Sequence, residues 1–169
     1  MRLVSSLCAF ALSMTVAAGS AFAESTTIAY PTADDPSFMI KAPGDWEFEA
    51  AEEEGDYFSL TGPTGATLYF RTVEASEDGL QDAIKETIDY VNDNYSKVDV
   101  DDPTEETLNG MEGFSAVGTG EDEAGDQYVF AFGWYILDDE ELVEIWYEAA
   151  ADDEGAKDAA KIIKSISKP

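Results

Sequence analysis

The chain has 169 residues, 27% charged and 12% aromatic, with 37 acidic against 9 basic side chains and a formal net charge of −28. It contains no histidine and one cysteine, Cys8, which excludes imidazole bases, Cys–His nucleophiles and thiolate or imidazole metal sets. The same charge repels phosphate backbones and anionic membrane surfaces, so nucleic acid is excluded as a partner.

The first 23 residues read as an export leader. Arg2 supplies the positive start, Leu3 to Gly19 is apolar and small, and Ala21-Phe22-Ala23 is an A-x-A cleavage signal. Ser5, Ser6, Ser13 and Thr15 interrupt the apolar run, which speaks against a retained membrane anchor. Cleavage removes Cys8 and leaves all the acidic residues in residues 24–169, a single domain of periplasmic or secreted destination that no disulfide supports. Its stability has to come from a core, and Trp46, Trp134, Trp146 and many Tyr and Phe residues are there to fill one.

In chain order, Phe38-Met39-Ile40 reads as a short strand ended by Pro43-Gly44. Trp46, Phe48 and Ala50 then alternate with Glu47 and Glu49, the mark of a half-buried strand. Gly55-Asp56 turns the chain into Tyr57 to Thr61, and Gly62-Pro63-Thr64-Gly65 turns it again into Ala66 to Glu74. These spacings predict an antiparallel meander. The period then becomes helical: Leu80, Ala83, Ile84, Thr87, Ile88, Val91 and Tyr95 form one apolar stripe, with Asp78 as the expected N-cap and Gln81 three residues on.

The acidic stretch Asp99 to Glu106 reads as a linker running into a strand at Thr104 to Leu108. Asn109-Gly110 predicts a tight hairpin into Met111 to Gly120. From Tyr128 to Leu137 both alternating faces are apolar, which predicts a central strand covered on both sides. Leu142 to Ala149 pairs back, with Val143, Ile145 and Tyr147 on one face. A closing helix is expected from about Asp152, its acids in the first turn and Lys161, Lys164 and Lys168 towards its end. The expected class is α+β: an α/β/α sandwich with a mainly antiparallel sheet of about six to seven strands and two main helices.

Candidate functional residues are sparse. Asp99, Asp101, Asp102, Glu121, Glu123 and Asp126 are the acids best placed for weak divalent-cation binding. Pro103 falls where an EF-hand ligand should be, and no glycine arrives at the sixth position. A carboxylate-only hydrolase would need two acids flanking a scissile bond. Glu144 and Glu148 share a strand face but lie about 13 Å apart by strand rise, so a cross-strand partner is required. No G-x-S-x-G elbow is present, and Gly118-Thr119-Gly120 leads into acids that would repel a phosphate. Arg71, the one arginine left after cleavage, either pairs with a neighbouring carboxylate or grips an anionic group. With Trp46, Trp146, Lys157, Lys161 and Lys164 it makes up the candidate partner surface.

The succession of these elements resembles the PsbP-like fold, which groups the extrinsic PsbP subunit of photosystem II, the Ran-binding import factor Mog and bacterial DcrB-like periplasmic proteins. The resemblance rests on Phe38 to Trp46 with its Pro43-x-x-Trp46 corner, the middle helix, Asn109-Gly110 before a glycine-containing strand, and Ala160-Lys161-Ile162-Ile163-Lys164-Ser165-Ile166. It implies a non-enzymatic binding, accessory or assembly protein with a protein partner, no cofactor and no catalytic residues to carry over. The extreme acidity departs from the family pattern.

Overall fold

The computed structural model describes residues 25–53 and 55–169; the leader, with Cys8 and its cleavage signal, lies outside the described residues. The chain runs β1 (Ser25–Pro31), β2 (Pro36–Pro43), β3 (Glu47–Glu49), β4 (Phe58–Thr61), β5 (Thr67–Glu74), α1 (Glu77–Asn94), β6 (Ser96–Val100), β7 (Thr104–Leu108), β8 (Met111–Glu121), β9 (Gln127–Ile136), β10 (Glu141–Ala150) and α2 (Ala156–Ile163). The main sheet has eight strands in the order β3-β4-β5-β10-β9-β8-β6, with β7 also paired to β8. Every pairing is antiparallel. The α+β class holds, with one or two strands more than expected in the main sheet.

Two layers flank the sheet because its strands are apolar on both faces. On one face Phe58, Leu60, Leu68, Phe70, Val143 and Ile145 pack against α2 residues Ala159 and Ile162 and against a separate ribbon made of β1 and β2. On the other, Phe130, Phe132, Trp134 and Trp146 pack against Ala83 and Val91 of α1. The double-sided apolar strand from Tyr128 to Leu137 is β9, in the interior of the sheet as its composition requires. Each fully buried Phe, Leu or Ile here contributes roughly 1.5–3 kcal/mol of transfer free energy.

Asn109 and Gly110 have φ of 51° and 84°, the pair of positive values that a type I′ hairpin demands, and they join β7 to β8. Asn109 Nδ2 then donates to the carbonyls of Lys164 (2.8 Å) and Ile166 (2.7 Å), tying this turn to the end of α2. Gly118 and Gly120 are packing positions. A Cβ at Gly118 would lie 2.4 Å from the Phe130 ring and one at Gly120 would lie 2.9 Å from the Tyr95 Cβ, so the bare backbone lets aromatics lie on the strand.

Several local expectations are corrected. Phe38-Met39-Ile40 belongs to the ribbon, not to the meander, and its partner β1 went unread because Ser25, Thr26 and Thr27 disguise the alternation of Ile28 and Tyr30. The α1 N-cap is Ser76, whose extended backbone and Oγ, accepting from Gly79 N–H at 3.0 Å, start the helix two residues earlier than Asp78 would. Glu77 and Asp78 instead sit in the first turn, where the helix dipole favours them. Ile88 of the helical stripe is 51% exposed, since Ala83, Thr87 and Val91 are the residues that face the sheet. Ser96–Val100 is a strand on the edge of β8 that takes up the start of the stretch expected as a linker, Asp99 and Val100, with a bulge between Ser96 and Asp99 where Lys97 has φ of 51°. Finally α2 begins at Ala156, not near Asp152; Asp153 is spent in the turn before it, accepting from Gly155 N–H (2.6 Å) and Thr64 Oγ1 (2.9 Å).

Candidate functional site

The α1 face of β10 carries Glu144, Trp146 and Glu148 in alternation, between β9 and β5. Register places Arg71 opposite Glu144 and Tyr69 opposite Trp146. The helix crosses this face and adds Glu86, Thr87 and Tyr90, while Tyr57 enters from the turn before β4. Together Tyr57, Tyr69, Glu86, Thr87, Tyr90 and Trp146 line a cleft of about 310 Å³.

Beneath the cleft lie two carboxylates in different settings. Glu144 is fully buried and compensated: Arg71 Nε donates to its Oε2 at 2.5 Å and Thr87 Oγ1 to its Oε1 at 3.0 Å. Arg71 Nη2 reaches on to the exposed Glu86 at 2.8 Å, and its guanidinium stacks 4.4 Å from the centre of the Tyr57 ring. Burial, the largest single influence, pulls the Arg71 pKa down, but the charges of Glu144 and Tyr57 and the hydrogen bonds to Glu86 and Glu144 together outweigh it and the guanidinium ends above its ordinary value. The cross-strand partner of Glu144, where a carboxylate pair would require a second acid, is therefore a cation, Arg71.

Glu148 is half-buried and receives only neutral donors. Tyr69 Oη lies 3.4 Å from its Oε1, while Tyr90 Oη (3.3 Å), Tyr95 Oη (3.1 Å) and Trp146 Nε1 (3.3 Å) converge on its Oε2. Burial, and then the charge of Glu148, push the phenol of Tyr90 up to about 12 and those of Tyr69 and Tyr95 higher still; burial and Glu144 do the same for Tyr57. All four remain neutral donors at any physiological pH.

A raised folded-state phenol pKa stabilises the fold fully below the unfolded value of about 10, and that stabilisation is lost as pH rises through the folded values. The expected result is a denaturation midpoint that drops steeply above about pH 10, with phenolate absorbance from these tyrosines appearing together with loss of circular dichroism. Complete ionisation near pH 10 with the fold intact would contradict the packing described.

Of the sequence-level candidates, the structure brings together Arg71 and Trp146, both on this face. Trp46 is buried at 8% exposure in the opposite core, and Lys157, Lys161 and Lys164 lie on α2, across the sheet. Lys161 is engaged with Asp158 at 2.6 Å, both exposed. The acids considered for divalent cations are separated: Asp99 lies on β6, Asp101 and Asp102 follow it, and Glu121 is held by Lys97 (2.6 Å) and Gln127 (2.6 Å). Glu123 and Asp126 flank the β8–β9 turn, organised by Asp122 Oδ1 accepting from Ala124 and Asp126 N–H. Among the described residues no group of three or more His, Cys, Asp or Glu is placed to hold a metal ion, and no helix is long and apolar enough to cross a membrane.

Tyr57, Tyr69 and Tyr90 were missed as site residues. The available signal was the position of Glu144 and Glu148 inside an otherwise apolar strand, since charges so placed demand dedicated partners.

No protein-family model matches the chain, and no curated protein does. Solved structures do. The cyanobacterial PsbP (CyanoP) of Synechocystis sp. PCC 6803 superposes with a TM-score of 0.60 at 11% identity, over 92% of this chain and 98% of that one. LpqN, involved in cell envelope biogenesis of Mycobacterium tuberculosis, gives 0.60 at 12% identity, over 86% and 91%. The Ran-binding protein Mog1p of Saccharomyces cerevisiae gives 0.54 at 9%, over 87% and 96%. The chain also spans about half, 47%, of a Bacteroides thetaiotaomicron structure, with 80% of its own length covered, a TM-score of 0.54 and 15% identity. At such identities the likeness is one of fold: the chain has the PsbP/Mog1-like fold.

Proposed function

We propose that this is an exported, non-enzymatic accessory or binding protein that works by protein contact through the α1 face of its sheet. The observation that carries the reading is the state of the two carboxylates on that face. Glu144 is sealed by Arg71 and Thr87, and Glu148 is surrounded by three phenols and an indole, so both are committed to holding the architecture. A chain without histidine offers no conventional base to replace them. The leader read over residues 1–23 supports export. LpqN, involved in cell envelope biogenesis, and the Ran-binding protein Mog1p support a contact-based role.

The test is capture of a partner from the native envelope extract by the immobilised protein, followed by reconstitution of the binary complex from purified components. A saturable complex of fixed stoichiometry is expected. Hydrolytic turnover by the purified protein that disappears in Glu148→Gln would overturn the reading.

A further inference from the structure

Four of the six residues that line the cleft are aromatic, and their polar ends are directed at carboxylates that do not line it. The hydroxyls of Tyr69 and Tyr90 and the indole N–H of Trp146 are directed at Glu148, and the Tyr57 hydroxyl feels the charge of Glu144. Apart from Glu86 and Thr87, what lines the space is aromatic. The rings meet as two perpendicular pairs, Tyr90–Trp146 at 5.2 Å and 84° and Tyr57–Tyr69 at 6.2 Å and 80°. Such corners present π faces and edges from several directions at once, the arrangement by which aromatic rings surround an ammonium group.

Three further observations fix the sign of the ligand. A phenol or indole donating to a carboxylate is polarised by it, which increases the electron density of the ring and deepens its attraction for a cation. One ring already shows the preference, since the Arg71 guanidinium stacks on Tyr57. Arg71, however, is consumed by Glu144 and Glu86, and among the described residues no cation pairs with Glu148. The remaining rings therefore stand over a negative charge that nothing in the described chain neutralises, in a protein whose net charge of −28 concentrates cations at its surface. Anionic ligands are repelled by both.

We propose that the cleft walled by Tyr57, Tyr69, Tyr90 and Trp146 binds an alkylated ammonium group, with Glu148 beneath the rings as its counter-charge. This rests on the contact-based reading above and names the chemistry that the contact recognises. About 310 Å³ is enough for a trimethylammonium head, carried either by a free molecule or by a modified lysine of a partner chain.

The experiment is calorimetric titration of the purified protein with choline and with an otherwise neutral peptide bearing one trimethyllysine, each against sodium chloride at equal ionic strength. One-site saturable binding above the salt control is expected. The neutral isostere of choline, with carbon in place of the ammonium nitrogen, should bind about tenfold more weakly or less. Tyr90 is 43% exposed on the helix, so replacing it does not threaten the core. Tyr90→Leu, verified as folded by circular dichroism, should weaken binding about tenfold, whereas Tyr90→Phe, which keeps the ring, should stay within about threefold of wild type. Tighter binding of the peptide assigns the site to a partner's side chain, and tighter binding of choline assigns it to a free molecule. Absence of saturation beyond the salt control, equal binding of the isostere, or a Tyr90→Leu protein that binds like wild type would each overturn the proposal. A protein that forms its reconstituted complex but fails this titration loses the ammonium site and keeps its contact role.

Discussion

Replacing Arg71 by alanine is expected to destabilise the protein by about 3–5 kcal/mol, a large share of the 5–15 kcal/mol typical of a domain. The reason lies in what remains. Glu144 has no exposed surface, and without the guanidinium at 2.5 Å its charge keeps the Thr87 hydroxyl as its hydrogen-bond partner. A hydrogen bond from a hydroxyl does not repay the desolvation of a carboxylate. The exposed part of the network behaves differently: Glu86→Gln removes a contact to a carboxylate that is 63% exposed and should cost no more than about 1 kcal/mol. Arg71→Met combined with Glu144→Gln removes both charges while leaving an acceptor for Thr87, and should recover at least half of the loss seen in Arg71→Ala. Chemical denaturation midpoints of the three variants decide the matter. If the double variant, in which methionine keeps most of the stem's packing, is as unstable as the single one, the uncompensated charge of Glu144 is not the cause of the loss.

That pair shows how far residue order alone reaches. Arg71 could be read as the partner of some carboxylate because acids outnumber bases so heavily, but which acid depends on β5 lying beside β10 in one register. Elements whose signals are local were legible: the Asn109-Gly110 hairpin, the double-sided apolar β9 and the stripe of α1 all state their structure within a few residues. The ribbon strand β1 was not, because Ser and Thr at its start carry β propensity without a hydrophobic alternation. The cleft was legible only as a question. Glu144 and Glu148 in an apolar strand announced partners, but Tyr57, Tyr69 and Tyr90 come from a turn, a strand and a helix that the fold alone brings together. Trp46 and Trp146 looked equivalent as candidate surface aromatics, and strand pairing puts them on opposite sides of the sheet.

The opposite face predicts the second large effect. Phe58→Ala is expected to cost about 3–5 kcal/mol, because Phe58 is 1% exposed and sits at the centre of an aromatic cluster whose collapse on truncation is limited by the sheet. Its ring lies 5.1 Å from Phe70, 5.2 Å from Tyr30, 5.7 Å from Phe48 and 6.1 Å from Phe38. Two of these, Tyr30 and Phe38, belong to the β1–β2 ribbon, which makes no ladder with the main sheet. The ribbon is held by such side chains and by the tail after α2, where Met39 and Ser167 exchange backbone hydrogen bonds at 2.9 Å each and Ser165 Oγ accepts from Lys41 N–H at 2.8 Å. A cavity at Phe58 should therefore weaken the two layers unequally. Amide exchange in β1 and β2 is expected to accelerate well beyond the change in β8, β9 and β10, whose ladders and α1-side core do not touch Phe58. Uniform acceleration across both sets, tracking the global loss alone, would show that ribbon and sheet unfold as one unit. The dependence of the ribbon on side-chain packing also separates the two faces: the Tyr69, Tyr90 and Trp146 walls of the cleft rest on β5, α1 and β10 and should keep their geometry in Phe58→Ala while the ribbon loosens, with Tyr57, next to the substituted residue, the one wall free to shift.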